Sequence, residues 1–399
     1  MFADWRELPL PQILDFQEGP GIMARDFRPE GVPLIRLAGL KQGAPLLAGC
    51  DRLDEEQVSK RWNHFRLQLG DVLLSTSASL GETSTVDTSG IGAIAYTGII
   101  RFRPKTSEIL ANFIPHALTA PSFKRQIEAM GVGSVIKHFG PTHLRQMTIH
   151  LPPVSHQRAI AEVLGALDEK IAVNERIAET AMEIARARYA LTPATAEMRI
   201  ADIATVFDGP HATPQKTPHG PWFLSISSLK GGVLDLAESA HLSEDDFPRW
   251  TKRVQPQEGD VLFSYETRLG EAALMPAGVR ACLGRRMGLL RPRSASVNGT
   301  LLLHAYLSRE FQKEIRRRTV HGATVDRIPL KEMPSWPISL PVEDDREDLI
   351  SALNALHSKI THTAEENRTL ATLRDTLLPQ LVTGKLRIKD AERAVEDAV

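Results

Sequence analysis

Cysteine is almost missing from this chain of 399 residues. There are two, Cys50 and Cys282, so neither a disulfide framework nor a four-thiolate zinc site can be built, and a reducing cytoplasm is the expected setting. Long apolar runs are missing too. Uncharged stretches such as Ser294–Ser308 carry Ser, Asn, Thr and His and fall short of the roughly 20 apolar residues that cross a bilayer. Asp4, Arg6 and Glu7 near the start do not make the basic-then-apolar pattern of a secretion signal. Excess charge of either sign is absent, with 48 Lys+Arg against 49 Asp+Glu. That argues against a protein that grips polyanions with its whole surface, but not against a local basic patch. One stretch is such a patch by composition. From Arg280 to Arg318 stand Arg280, Arg285, Arg286, Arg291, Arg293, Arg309, Lys313, Arg316, Arg317 and Arg318, against Glu310 and Glu314.

Enzyme signatures are lacking as well. The chain has no Gly-x-x-x-x-Gly-Lys-Ser/Thr phosphate loop, no Gly-x-Gly-x-x-Gly after a strand, and no Asn-Pro-Pro-Tyr run of an amino-methyltransferase. His138, His143, His150 and His156 lie close in sequence, yet no carboxylate or thiolate joins them at ligand spacing. No metal site is expected.

What is present is a repeat. Gln68-Leu-Gly-Asp-Val-Leu-Leu-Ser75 returns as Gln257-Glu-Gly-Asp-Val-Leu-Phe-Ser264, a shift of 189. The same shift relates Leu40-Lys41 to Leu229-Lys230, Gly81-Glu82 to Gly270-Glu271, Gly133 to Gly322 and Leu151-Pro152 to Leu340-Pro341. It continues through Leu164 with Leu353, Leu167 with Leu356 and Lys170-Ile171 with Lys359-Ile360. The chain is a tandem duplication, too long in period for a solenoid.

Each copy changes character partway. Residues 1–150 and 197–340 mix short apolar runs with turn formers, and read as two similar mixed α/β domains. Strands are predicted at Val32–Leu37, Asp71–Ser75, Ile91–Phe102 and Thr148–Leu151. Helices are predicted at Ile109–Ala129, interrupted by Pro121-Ser-Phe123, and at Leu301–Arg318. Residues 151–196 and 341–399 read as long helices, with Ser155 and Asp344 at the N-caps. Ile160, Leu164, Leu167, Ile171 and Asn174 recur at 4-3-4-3 spacing, as do Leu349, Leu353, Leu356, Ile360, Thr363 and Asn367. This is a coiled-coil seam. Asn174, Thr363 and Asn367 either mark a loosened seam or pair across it and set register. The fold class is therefore α+β, with the two domains separated by a pair of antiparallel helices. A helix over 155–188 would span about 50 Å at 1.5 Å per residue.

Repeated Asp71…Glu82 and Asp260…Glu271 could hold Mg²⁺ in a divergent nuclease, but no lysine follows at nuclease spacing. An Asp after Gly at a strand start is commonly a turn residue. Two similar domains on a spacer suit a two-part target, and duplex DNA offers half-sites at set spacings.

The helical segments carry a resemblance. Leu151-Pro-Pro-Val-Ser-His-Gln-Arg-Ala-Ile-Ala-Glu-Val-Leu-Gly-Ala-Leu-Asp-Glu-Lys-Ile-Ala-Val-Asn174 is similar to the central conserved region of the specificity subunits of type I restriction–modification enzymes. Asn367-Arg-Thr-Leu-Ala-Thr-Leu-Arg-Asp-Thr-Leu-Leu-Pro-Gln-Leu-Val-Thr-Gly-Lys-Leu-Arg387 is similar to their distal one, and Gly-Asp-Val-Leu at 70–73 and 259–262 recurs in their recognition domains. The resemblance implies a non-catalytic reader of a bipartite DNA site that docks methylation and restriction subunits. Those partners would bind S-adenosylmethionine, ATP and Mg²⁺, and the chain itself no cofactor. The layout implies DNA-facing loops at Ser75, Ser77 and Ser79, matched by Ser264, Tyr265, Thr267 and Arg268. A second pair holds Ser134, Lys137 and His138, matched by Thr324 and Arg327. Glycine allows close backbone approach there, and hydroxyls and cations suit phosphates and base edges. The alternatives are a coiled-coil scaffold carrying two protein-binding domains, or the nuclease above.

Overall fold

The computed structural model describes residues 5–41, 43–76, 81–129, 139–322 and 325–397. The chain divides into two compact units, residues 1–176 with 364–399, and residues 177–363.

In the first unit, a four-stranded antiparallel sheet runs in the order Leu14–Glu18, Ile99–Pro104, Val72–Ser75, Thr83–Thr85. A second sheet orders Phe27–Arg28, Asp51–Leu53, Val32–Ile35 and Ile94–Ala95, its last pairing parallel. Arg6–Pro9 pairs with Thr148–Leu151. Val72, Leu74, Ile100 and Phe102 turn one face of the larger sheet onto Phe113, Phe123 and the helix residues Ile160, Leu164, Leu167 and Ile171.

The second unit repeats this wiring. Its four-stranded sheet orders Ala204–Asp208, Met287–Pro292, Val261–Ser264 and Ala272–Leu274. Ala240–His241, Thr217–Phe223 and Ala281–Cys282 form the second sheet, again with a parallel last pair. Ala196–Arg199 pairs with Pro337–Leu340. Val72–Ser75, Thr83–Thr85 and Thr148–Leu151 map onto their counterparts at a shift of 189. Two similar mixed domains are thus what the repeat encodes.

The central helix runs Val154–Leu191 and the C-terminal helix Glu343–Val382. They run antiparallel in both units. In the first, Arg374 Nη1 meets Asp168 at 2.9 Å and Lys170 meets Glu366 at 3.1 Å. In the second, Ala181 and Met182 pack on Ile360, and Ala185 and Tyr189 share a core with Leu349 and Leu353. Antiparallel register means that the two matched half-seams do not face each other. Ile160–Ile171 pack against Leu370, Leu377, Leu378 and Leu381 instead.

Some boundaries differ from expectation. Both long helices start one residue early, directly after Pro152-Pro153 and Pro341-Val342, so Ser155 and Asp344 lie in the first turn and not at the cap. There Glu343, Asp344 and Asp345 complement the helix dipole. Ile91–Phe102 is not one strand: a turn at Tyr96-Thr-Gly98, with Gly98 at φ +83°, divides it into two strands of different sheets. Leu301–Arg318 breaks at Ser308, whose hydroxyl caps a new helix by accepting from Phe311 N–H at 3.2 Å. Among the described residues no helix is long and apolar enough to cross a membrane.

Candidate nucleic-acid interface

The repeated Gly-Asp pair builds the start of a strand. Gly70 and Gly259 both take φ +81°, which a side chain would resist. The next residue, Asp71, is 1% exposed and accepts from Gln68 N–H at 2.7 Å and from Arg103 Nε and Nη2 at 2.6 and 2.7 Å. Asp260 repeats this with Gln257 N–H and with Arg291 at 2.9 and 2.7 Å. Each guanidinium is held above its ordinary range by its hydrogen-bonded aspartate. A bidentate Arg–carboxylate pair plus a turn hydrogen bond uses these carboxylates structurally. The turn reading accounts for the repeat.

The other end of the same strand leads into the predicted loops. Ser75 and Ser264 are fully buried. The Ser75 hydroxyl accepts from Glu82 N–H at 3.0 Å, and that of Ser264 donates to the Glu266 carbonyl at 2.7 Å. Both shape their loops from beneath and present nothing to a ligand. Tyr265 is likewise 6% exposed, and burial, with Asp208 beside it, pushes its phenol pKa up. Thr267 and Arg327, by contrast, are exposed.

Two backbone positions in this region are strained. Thr267 and Arg286 take φ +68° and +70°, costing about 1 kcal/mol or more each for residues other than glycine. They are pinned together: Arg286 reaches Glu266 at 2.9 Å, and its carbonyl accepts from Tyr265 N–H at 3.1 Å. The two predicted loops of the second unit also meet. Ile328 N–H donates to the Tyr265 carbonyl at 2.8 Å, and Glu266 and Val320 both bridge to Arg327. Gly322 is required here, since a β-carbon would stand 2.6 Å from the Val325 carbonyl oxygen. Arg268 is tied inward, donating to the Ile226 and Ser227 carbonyls at 3.2 and 3.3 Å and facing Glu271 at 3.6 Å. Ser77, Ser79, Ser134, Lys137, His138 and Thr324 lie outside the described residues.

The basic run resolves into two groups. Arg280, Arg286, Arg291, Arg317 and Arg318 are ion-paired, to Glu244, Glu266, Asp260 and Glu314. Arg317 and Arg318 hold the Glu314 carboxyl below its usual range. Arg285, Arg293, Arg309, Lys313 and Arg316 are exposed with no ion pair among the described residues. The last three sit on the helix Arg309–Arg318, which Gln312 ties to the loop after Val261–Ser264 by donating to the Gly270 carbonyl at 3.2 Å.

Sequence reading missed one repeated pair. Arg61-Trp62 and Arg249-Trp250 recur at a shift of 188, the spacing that also relates Arg103 to Arg291. In both, the guanidinium lies over its neighbour's ring, at 4.9 and 6.0 Å.

The helix-pairing residues divide similarly. Ile160, Leu164, Leu167, Ile171, Leu349, Leu353 and Ile360 are buried, and Leu356 is partly so. Asn174, 2% exposed, donates to Glu366 at 2.8 Å and to Asn367 Oδ1 at 2.9 Å, while Asn367 donates to the Ile171 carbonyl at 3.2 Å. These two asparagines pair across the seam. Thr363 does not: its hydroxyl turns back to the Lys359 and Ile360 carbonyls at 3.0 Å.

A family model for the type I restriction modification DNA specificity domain matches residues 3–181. That match ends at residue 181, within the central helix and just past the boundary of the first unit, and the second unit repeats the first unit's sheet order. The MjaVIII specificity subunit of Methanocaldococcus jannaschii is 23% identical over 180 residues, 43% of this chain and 41% of that one. The chain thus spans under half of that relative in the match. The putative MjaX specificity subunit of the same organism is 19% identical, covering 97% of this chain and 94% of its own. Among solved structures, the type I restriction–modification S subunit from M. genitalium shares the fold at a TM-score of 0.55, with 15% identity, over 96% of this chain and 97% of that one. The resemblance drawn from the helix motifs is borne out.

Proposed function

We propose that the chain is the DNA-reading specificity subunit of a type I restriction–modification complex. The observation that carries this is the duplicated topology: two copies of one recognition fold, the first matched by the specificity-domain family, each built on a segment of the same two long helices. Each copy would read one half of a bipartite duplex site. The paired helices would act as spacer and as the docking surface for methylation and restriction subunits. The partners would bring S-adenosylmethionine, ATP and Mg²⁺, and with them methyl transfer, translocation and cutting. The chain alone would then be non-catalytic and work in the cytoplasm.

In the second copy, the joined loops at Thr267 and Arg327 supply a hydroxyl and a cation for base edges, and the ridge of Arg309, Lys313 and Arg316 supplies cations for phosphates. The test is duplex binding by the full chain at several salt concentrations, followed by mapping of the motif methylated with its partner subunits. Affinity should fall steeply with salt, the motif should have two specified parts, and the pure chain should neither methylate nor cut. Salt-independent or absent duplex binding would favour the protein-binding scaffold. Metal-dependent cutting lost on changing Asp71 or Asp260 would favour a nuclease.

A further inference from the structure

Beside the recognition loop of the second copy lies a cleft of about 370 Å³. Its floor is apolar, formed by Trp250, Val254 and Leu283. Its rim is cationic, formed by Arg249, Lys252 and Arg253, all exposed. One acid, Asp208, belongs to it, and that carboxylate is already engaged by His211 at 3.1 Å and Arg253 at 3.6 Å. Arg253 is further fixed by donating to the Gly209 carbonyl at 3.0 Å. Arg249 and Lys252 make no ion pair among the described residues, so with His211 neutral the rim keeps an excess of two positive charges.

The cleft and the loop share a wall. Leu283 lines the cleft, Met287 accepts from Gly209 N–H at 3.0 Å, and between them the Arg286 carbonyl accepts from Tyr265 N–H. Tyr265 in turn lies against Asp208. A strand of DNA whose bases met the loop at Thr267 would therefore bring its backbone past the cleft rim. The first copy keeps less of this charge at the equivalent place: Arg61 matches Arg249, but His64 and Phe65 stand where Lys252 and Arg253 do, and the nearby Lys60 and Arg66 are answered by Glu56 and Glu55.

We propose that this cleft seats a backbone phosphate of duplex DNA, with Arg249 and Lys252 as its free cations and Arg253 as a fixed donor. The proposal rests on the DNA-reading function above and adds an asymmetry to it, in which the second copy holds a phosphate grip that the first lacks. Cations that neutralise phosphates release counterions, so each contributes to the slope of log affinity against log salt and none to sequence choice.

The experiment compares the full-length chain with its Arg249→Ala/Lys252→Ala form and with a control, Lys389→Ala/Arg393→Ala, which removes the same charge from exposed positions elsewhere. Duplex binding is measured across salt for a target and a scrambled sequence. The cleft variant should lose about two units of salt slope and weaken on both sequences alike, with the control unchanged. Unchanged slope in the cleft variant, or an equal loss in the control, overturns the proposal while leaving duplex reading intact. Salt-independent binding by the unaltered chain would fail the functional reading itself. Deoxyadenosine monophosphate offers the remaining arm: if it quenches Trp250 fluorescence, read against Trp250→Phe, and the salt slope of the cleft variant is unchanged, the cleft is a free-nucleotide site and the proposal falls.

Discussion

At the residue scale the sharpest commitments are made by groups that have left water. Asp71 and Asp260 are each compensated by one arginine, and removing that arginine strands a buried carboxylate. Arg103→Ala and Arg291→Ala should each cost about 3–5 kcal/mol in urea unfolding. A second buried pair gives a pH signature. His304 and His357 face each other, Nε2 to Nε2, at 2.9 Å, at 2% and 6% exposure. Burial, together with His357 and then Arg186 for His304, holds the former down at about 3; burial holds the latter at about 4. Both stay neutral in the fold, while the unfolded chain takes up protons near 6.5. Stability should therefore be level above pH 6.5 and fall below it, by up to about 2.7 kcal/mol per pH unit with two protons involved. Urea midpoints at pH 7.5, 6 and 5 measure this, and His357→Gln should flatten the decline. Arg327 is exposed and lies outside the cores. If it reads a base, Arg327→Ala should cost about 1–3 kcal/mol and relax one position of the methylated motif. The strand-start aspartate and the glycines near Thr267 were legible from sequence. The arginine partners were not, because Arg103 and Arg291 lie more than thirty residues along the chain and one step out of the repeat's main shift.

At the scale of elements, the two long helices matter as the places where each unit closes. Leu164 and Leu353 are fully buried at repeat-equivalent positions, but in different cores. Replacing either by Ala should cost about 2–5 kcal/mol. Hydrogen exchange should show the loss in the unit that holds the residue and not the other. The 4-3-4-3 pattern announced both helices and their apolar stripes. It is silent on which half meets which, since like half-seams have the same spacing in either sense. The helix break at Ser308 was hidden by an unbroken run of helix formers, whereas Pro121 advertised its equivalent. The strand break before Ile99 depends on one left-handed glycine that a pattern of apolar residues masks.

For the whole molecule, the proposed function makes the two copies separable readers. Exchanging residues 197–340 for those of another specificity subunit should alter one half of the methylated motif and leave the other as it was. A change in both halves would contradict independent readers. The candidate DNA surface was legible only in outline. Two loops were located by the repeat, yet their joining through Tyr265 and Ile328 and the cationic cleft beside them follow from strand order that no local pattern reports.

The first unit is completed by residues 364–399, after the whole of the second has been written. On the ribosome this reverses the order of maturation. Ile160, Leu164, Leu167 and Ile171 emerge early, but Leu370, Leu377, Leu378 and Leu381 that cover them follow some 200 residues later. At about 5–20 residues per second the nascent stripe waits roughly 10–40 s, uncovered, while residues 177–363 can already close on themselves. The half made first is finished last, and until then a chaperone or another apolar helix is free to occupy its place.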